Sequence, residues 1–439
     1  MRKWMPLVAV CLAAFLLIVD TTVVTVALPE LARGLGSSLA DLQWVTNGYP
    51  LALAVFSLSA GSVADLFGPR RVFLCATGVF GAASLLCGLA PGTGTLVLGR
   101  ALQGVGASAV FVTGMALLGT YRDRERATAI GVWSAVVGAA AAAGPLVGGL
   151  LTQFLGWRAI FFVNVPVAAL TIGLALRYTT AAPRLPAGRP DLPGMFWFAV
   201  CAGTLTCGLI RAGESGWSVA TAVLLGLSAL ALSVLVRVER RSPRPVLDLV
   251  LFRDTAFLGI LLCVVASATA FAALVYLSLW LQDSRGLGPA GTGLTLLPMA
   301  VTSFLVSTAA GKVLHRVPPR LTLAAGSLLL GKGFLLAWLS LPLGLVVVGA
   351  GVGLSVPATS SAVLAAVPPE RAGLASGALA TVRQLGQVLG VAVLGLVFRD
   401  AGIVGVLLVS AGLALLTSGL GYASLRKVAS RSRLVSSRD

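Results

Sequence analysis

Residues 15–29 read FLLIVDTTVVTVALP, an apolar run with a single carboxylate, Asp20, near its centre. An ionisable acid in a greasy helix is expensive, so the run decides the fold only together with its surroundings. Those surroundings are equally apolar: 57% of the 439 residues are hydrophobic and 11% are charged, with a mean hydropathy of +0.97. An ordinary soluble domain carries about 25% charged residues. The length would accommodate two or three soluble domains, but the hydropathy indicates one all-α polytopic membrane bundle.

A window of about 19 residues picks out fourteen apolar segments. They lie at 5–29, 42–64, 72–90, 94–118, 127–151, 158–177, 193–211, 218–236, 255–281, 292–313, 320–339, 342–366, 373–397 and 401–424. Short turns such as PGTG at 91–94 predict antiparallel neighbours. The longer connections, at 178–192 and 237–254, divide the spans into six, two and six. The expected organisation is a six-helix bundle over 1–178, an inserted helix pair over 179–254, a second six-helix bundle over 255–425 and a basic tail over 426–439.

The formal charge of +17 invites a nucleic-acid reading. With a cytoplasmic N-terminus and fourteen crossings, however, 24 Lys and Arg fall in inside segments and 5 in outside segments; Arg100, Lys332 and Arg383 lie within spans. Such a bias is the topology signal of a membrane protein and places both termini in the cytoplasm, so no nucleic-acid partner is expected. The N-terminus MRKWMPLVAVCLAAFLLIVD has the look of a signal peptide, yet its apolar run continues past Asp20 to Leu28 without an A-x-A site. A retained first span is the expectation.

Enzyme chemistry finds no foothold. The six cysteines all sit in apolar stretches without C-x-x-C spacing, and the lone histidine, His315, lies in a basic loop, so neither a disulfide framework nor a metal site is expected. There is no G-x-x-x-x-G-K-[ST] loop, and GAGVGLS at 349–355 sits inside an apolar span and reads as helix packing. Any pumping must draw on an ion gradient or a partner rather than a cofactor.

Four stretches carry chemistry. In GSVADLFGPRR (61–71), Gly61 and Gly68 permit a tight helix–loop–helix approach, and Asp65 sits at the membrane face beside Arg70 and Arg71, with Arg126 as a further candidate partner. The bland alternative is a solvated basic turn that only sets topology. In GRALQGVGAS (99–108), Arg100 is the one arginine deep in the first six spans. A buried guanidinium needs an acid or backbone carbonyls, and Asp20 is the only carboxylate available in those cores. In GAAAAAGPLVGG (138–149), small residues allow close backbone contact and Pro145 bends the helix, which packing alone would explain. The fourth is the opening stretch, DTTVVTVALP at 20–29.

In this order and at these helix positions the four stretches resemble the major facilitator superfamily, and within it the fourteen-span drug:proton antiporter family. LVYLSLWLQ at 274–282, GPAGTGLTLLP at 289–298 and ASGALATVRQLGQVLG at 375–390 extend the resemblance over nearly the whole chain. The resemblance implies two six-helix bundles plus two inserted helices, rocking about a midplane substrate cavity. It implies a cytoplasmic gate at Gly61, Asp65, Gly68, Arg70 and Arg71, proton transfer involving Arg100 with Asp20, and an exporter's signature at Gly144, Pro145, Gly148 and Gly149. Arg383 and Gln384 also match the family pattern. The chain departs from that pattern at Leu66 and Pro69, where basic residues are usual, and at Thr25, where asparagine is usual.

Polar and aromatic residues within spans, Asn47, Tyr49, Trp133 and Tyr276 together with Thr25, are candidates for the cavity lining. Lys332 is expected to snorkel to the outer interface. The function implied is export of small, fairly apolar drugs or antibiotics in exchange for protons, by a monomer in the plasma membrane. One acid against three intramembrane cations leans the substrate towards neutral, zwitterionic or anionic compounds. A proton-coupled importer on the same fold and a non-transporting receptor or scaffold are the alternatives.

Overall fold

At membrane depth no water satisfies the backbone, so an apolar chain must close its hydrogen bonds internally. The computed structural model describes residues 2–118, 121, 123–179, 191–242, 255–313, 317–366 and 372–436, and these fold as helices and short connections. The cores of the two long inside loops, 180–190 and 243–254, and His315 lie outside the described residues.

After a 3-10 turn at Arg2–Trp4 come α1 (Met5–Leu35), α2 (Leu39–Phe67), α3 (Pro69–Gly88), α4 (Thr93–Leu118) and α5 (Asp123–Leu155). Then follow α6 (Ala159–Phe162), α7 (Asn164–Tyr178), α8 (Leu192–Ser215), α9 (Val219–Arg241), α10 (Thr255–Asp283), α11 (Pro289–Val313), α12 (Pro319–Leu339), α13 (Leu341–Ala366) and α14 (Ala372–Ser436). Eleven helices among the described residues are long and apolar enough to cross a membrane, or twelve when the bent pair within α5 counts as one span.

Local sequence explains the breaks. The turn after α1 places Gly36 at φ 63°, and Ser38 and Asp41 then cap α2 reciprocally. The span expected over 158–177 is interrupted at Val163. Pro166 has no N–H to give to Phe162, so the ladder cannot run through. In α5 the axis bends by 43° between Ala141 and Ala143, where Pro145 leaves the Ala141 carbonyl without its usual donor. The last two expected spans are joined in α14, with a non-helical Gly402 at φ 61° marking the break between them, and the expected tail continues as helix to Ser436.

The chain divides into two compact units, Met1–Leu235 with Ser278–Leu297, and Val236–Leu277 with Pro298–Asp439. In the first, α1 touches α2, α4, α5, α6 and α7. Its core joins Leu7, Val10 and Leu17 of α1 to Phe73 and Phe80 of α3, Val110 and Leu117 of α4, and Ala168 and Ala175 of α7. In the second, Phe257, Ile260 and Val264 of α10 meet Leu323 of α12, Ala358 and Ala362 of α13, and Ala378 and Leu379 of α14.

Without a hydrophobic drive between helices in lipid, close packing at small residues holds such a bundle. Gly106 shows how close: a Cβ there would lie 2.9 Å from both the Ala76 oxygen and the Phe80 nitrogen of α3. Gly106→Val is therefore expected to lower the stability of the purified protein by about 1–3 kcal/mol. Gly78→Ala, on the same pair of helices but with nothing within 4 Å, is expected to be neutral or slightly stabilising. Apparent melting temperatures in detergent check both.

Candidate functional site

Asp20 sits on the face of α1 turned towards α4 and α7, and only 1% of it is exposed. The spacing of α4 brings Arg100 and Gln103 onto one face, one turn apart. Arg100 Nη1 donates to Asp20 Oδ2 at 2.5 Å and to Gln103 Oε1 at 2.8 Å, while its Nε donates to the Val45 carbonyl of α2 at 3.2 Å. The guanidinium also lies 4.7 Å from the centre of the Tyr49 ring, a cation–π contact between two buried side chains. Gln103 Nε2 donates to Asp20 Oδ1 at 3.1 Å, and Asn164 Nδ2, at the start of α7, donates to the same oxygen at 2.7 Å.

Ser84 of α3 closes the cluster. Its hydroxyl donates to the Phe80 carbonyl at 2.8 Å and accepts from Gln103 Nε2 at 2.7 Å and from Asn164 Nδ2 at 3.3 Å. Asp20 is thus surrounded by three donors from two helices, an arrangement that fits a charged carboxylate. The neighbouring Cys87 thiol donates to Gln103 Oε1 at 3.6 Å. All of these side chains are buried.

Small residues let the helices approach this cluster. On α5, a Cβ at Gly144 would collide with the Thr22 hydroxyl and one at Gly148 would lie 2.8 Å from Val23 Cα, so α5 rides on α1 within three residues of Asp20. A Cβ at Gly149 would lie 2.5 Å from the Pro289 carbonyl, and the Pro145 carbonyl abuts Gly293, so the other side of α5 receives the start of α11.

The other residues singled out in the sequence fall elsewhere. Thr25 is half-buried, and its hydroxyl donates to the Thr22 carbonyl at 2.7 Å. Asn47 is fully buried with both amide atoms unpartnered. Trp133 packs on Phe111, 5.4 Å between ring centres, against the first core. Tyr276 is buried in the second unit, donating to the Val391 carbonyl with its ring 5.2 Å from Phe398. Arg383 and Gln384 of α14 are half-buried, and Arg383 Nε is enclosed without a partner. Lys332 is exposed on α12.

In the gate stretch, Gly68 joins α2 to α3 at φ 87°. Gly61 has nothing near the position of a Cβ, and Arg71 is exposed. Arg70 donates to the Leu176 carbonyl at 2.7 Å and to the Thr179 hydroxyl at 3.1 Å, capping the C-terminus of α7 with a cation. The side chains of Asp65 and Arg126 lie outside the described residues. Sequence reasoning missed three members of the cluster. Gln103 was findable from its spacing to Arg100, whereas Ser84 and Asn164 carry only the weaker signal of a polar side chain inside an apolar span.

The family model for the Major Facilitator Superfamily matches residues 10–391. The chain is 38% identical over 400 residues to the multidrug resistance protein Stp of Mycobacterium tuberculosis, covering 89% of this chain and 74% of that one. It is 34% identical over 418 residues to the tetracenomycin C resistance and export protein of Streptomyces glaucescens, covering 91% and 76%. Among solved structures, a bacterial homologue of the human lysosomal transporter Spinster superposes with a TM-score of 0.71 at 17% identity, over 96% of each chain, and supports the fold alone. With a helical bundle built around a buried ion pair and a family model spanning most of its length, this chain belongs to the Major Facilitator Superfamily as a multi-pass membrane transporter, not an enzyme.

Proposed function

We infer that the protein exports small, fairly apolar drugs or antibiotics in exchange for protons. The export of such compounds rests on relatives named for multidrug resistance and for tetracenomycin C resistance and export. Proton coupling rests on one observation above all: a carboxylate held by donors at membrane depth, paired with Arg100, the one buried arginine among the described residues of the first unit. Fourteen crossings in a six–two–six arrangement, cytoplasmic termini and a plasma-membrane location complete the reading, supported by the Lys and Arg asymmetry of the loops.

The chemistry follows from the cage. With Asp20 charged and Arg100 against it, the cluster is neutral overall and stable in a low-dielectric interior. A proton arriving on Asp20 cancels one charge, leaves Arg100 short of its counter-ion and places an O–H among N–H groups. The first bundle must then rearrange, and that rearrangement is the step an alternating-access exporter needs to link proton entry to a change of facing. Thr22 and Val23, locked against Gly144 and Gly148, transmit any shift of the Asp20 region to α5. The three cations within spans, Arg100, Lys332 and Arg383, against the single acid Asp20 favour neutral, zwitterionic or anionic substrates.

Asp20→Asn is expected to abolish proton-driven efflux while the protein still inserts and folds. The drug susceptibility of an efflux-deficient host, together with uptake into everted vesicles under an imposed pH gradient, measures this; uptake at the normal rate would sink the assignment.

Arg100→Leu strands a buried carboxylate and is expected to lower stability at neutral pH by about 3 kcal/mol or more. The double variant Asp20→Asn/Arg100→Leu, uncharged at both positions, should recover most of that loss in a thermal melt without regaining transport.

A further inference from the structure

The hydrogen bonds around Asp20 admit only one assignment of donors and acceptors, and that assignment identifies a switch. Gln103 Oε1 faces the guanidinium of Arg100, so its amide nitrogen must point to Asp20 and Ser84. The Ser84 proton is committed to the Phe80 carbonyl, so its oxygen can only accept, from Gln103 and from Asn164. The amide of Asn164 is therefore turned with its nitrogen towards both Asp20 Oδ1 and Ser84 Oγ.

Protonation of Asp20 on Oδ1 would set an O–H against that N–H. Of the three donors, Arg100 has no acceptor to offer and Gln103 is locked by Arg100. Asn164 alone can respond in place, by turning its amide over to present the carbonyl oxygen. A turned Asn164 then faces Ser84 with an oxygen as well, which the Ser84 hydroxyl satisfies by rotating away from Phe80. Asn164 is buried in the first turn of α7, and turning its amide over exchanges an oxygen and a nitrogen of nearly equal size, so the turn needs no new space.

We propose that Asn164, with the Ser84 hydroxyl as its rotor, is a positioning residue that reads the protonation state of Asp20: it donates to the charged carboxylate and turns over to accept from the neutral acid. The inference rests on the reading of Asp20 as the proton carrier. It concerns a residue on α7 that takes no part in the ion pair itself. Among the described residues, the titratable groups facing Asp20 are Arg100 from α4, Tyr49 from α2 and Cys87 from α3. α5 presents Gly144 and Gly148 to this part of α1, and α7 presents Asn164.

The test is an infrared titration of the ligand-free full chain in lipid nanodiscs, following the C=O stretch of the protonated carboxyl group against pH. The component lost in Asp20→Asn reports the site. Asn164→Ala removes one hydrogen bond from each form, and the charge-assisted bond to the carboxylate is the stronger, so the balance moves towards the neutral acid. Asn164→Ala is therefore expected to move the midpoint of that component up by about one pH unit. Asn164→Ala should also raise the stretch frequency, because the acid loses its acceptor. Ser84→Ala, which keeps the amide but removes the donor that the turned amide needs, should disfavour the neutral acid and shift the midpoint the other way, downwards, and keeps the test open if Asn164→Ala does not fold.

A midpoint and frequency unchanged in the variants that fold would overturn the role of Asn164 alone. A spectrum with no component lost in Asp20→Asn would overturn the reading of Asp20 itself.

Discussion

A carboxylate at membrane depth has to be fully surrounded by donors or it does not stay charged, and the first bundle is arranged around meeting that demand at Asp20. The donors come from α4 and α7, the group that orients them from α3, and the second anchor of Arg100 from the Val45 carbonyl of α2. Four neighbouring helices must therefore converge on one point of α1 within hydrogen-bonding distance. Large side chains would hold them apart. This is the physical reason for the glycines of GRALQGVGAS: Gly99 and Gly106 press against α3 and Gly104 against the Tyr49 carbonyl of α2, so that the residues between them reach the acid.

Much of this was legible in the sequence because it follows from one-dimensional patterns. Apolar runs of about 20 residues locate spans, and the scarcity of charge inside the spans leaves Asp20 and Arg100 as natural partners in the first six. The i, i+3 relation of Arg100 to Gln103 is equally visible. Asn164 is not, since nothing in the chain says that residue 164 returns to residue 20; that is set by how α7 packs between α1 and α3.

The same limit explains the aromatic residues. A tyrosine or tryptophan inside an apolar span can line a cavity or fill a core, and periodicity does not separate the two. Tyr49 lies under the guanidinium of Arg100, while Trp133 and Tyr276 are packed against Phe111 and Phe398. Hydropathy likewise cannot register that Pro166 removes one bond from the ladder between α6 and α7, which still form a single span over Ala159–Tyr178.

The small-residue stretch of α5 gains a meaning that composition alone did not give it. Packing would be satisfied by glycine contacts anywhere along α5, but Gly144 and Gly148 meet Thr22 and Val23, immediately beyond Asp20, while Pro145 and Gly149 receive the start of α11. At Gly148 and Gly149 backbone meets backbone, so a local shift there cannot be absorbed by repacking side chains. A displacement of α1 just beyond Asp20 would therefore carry α5, and with it the first turns of α11. α11 then continues beyond Leu297 into the second unit.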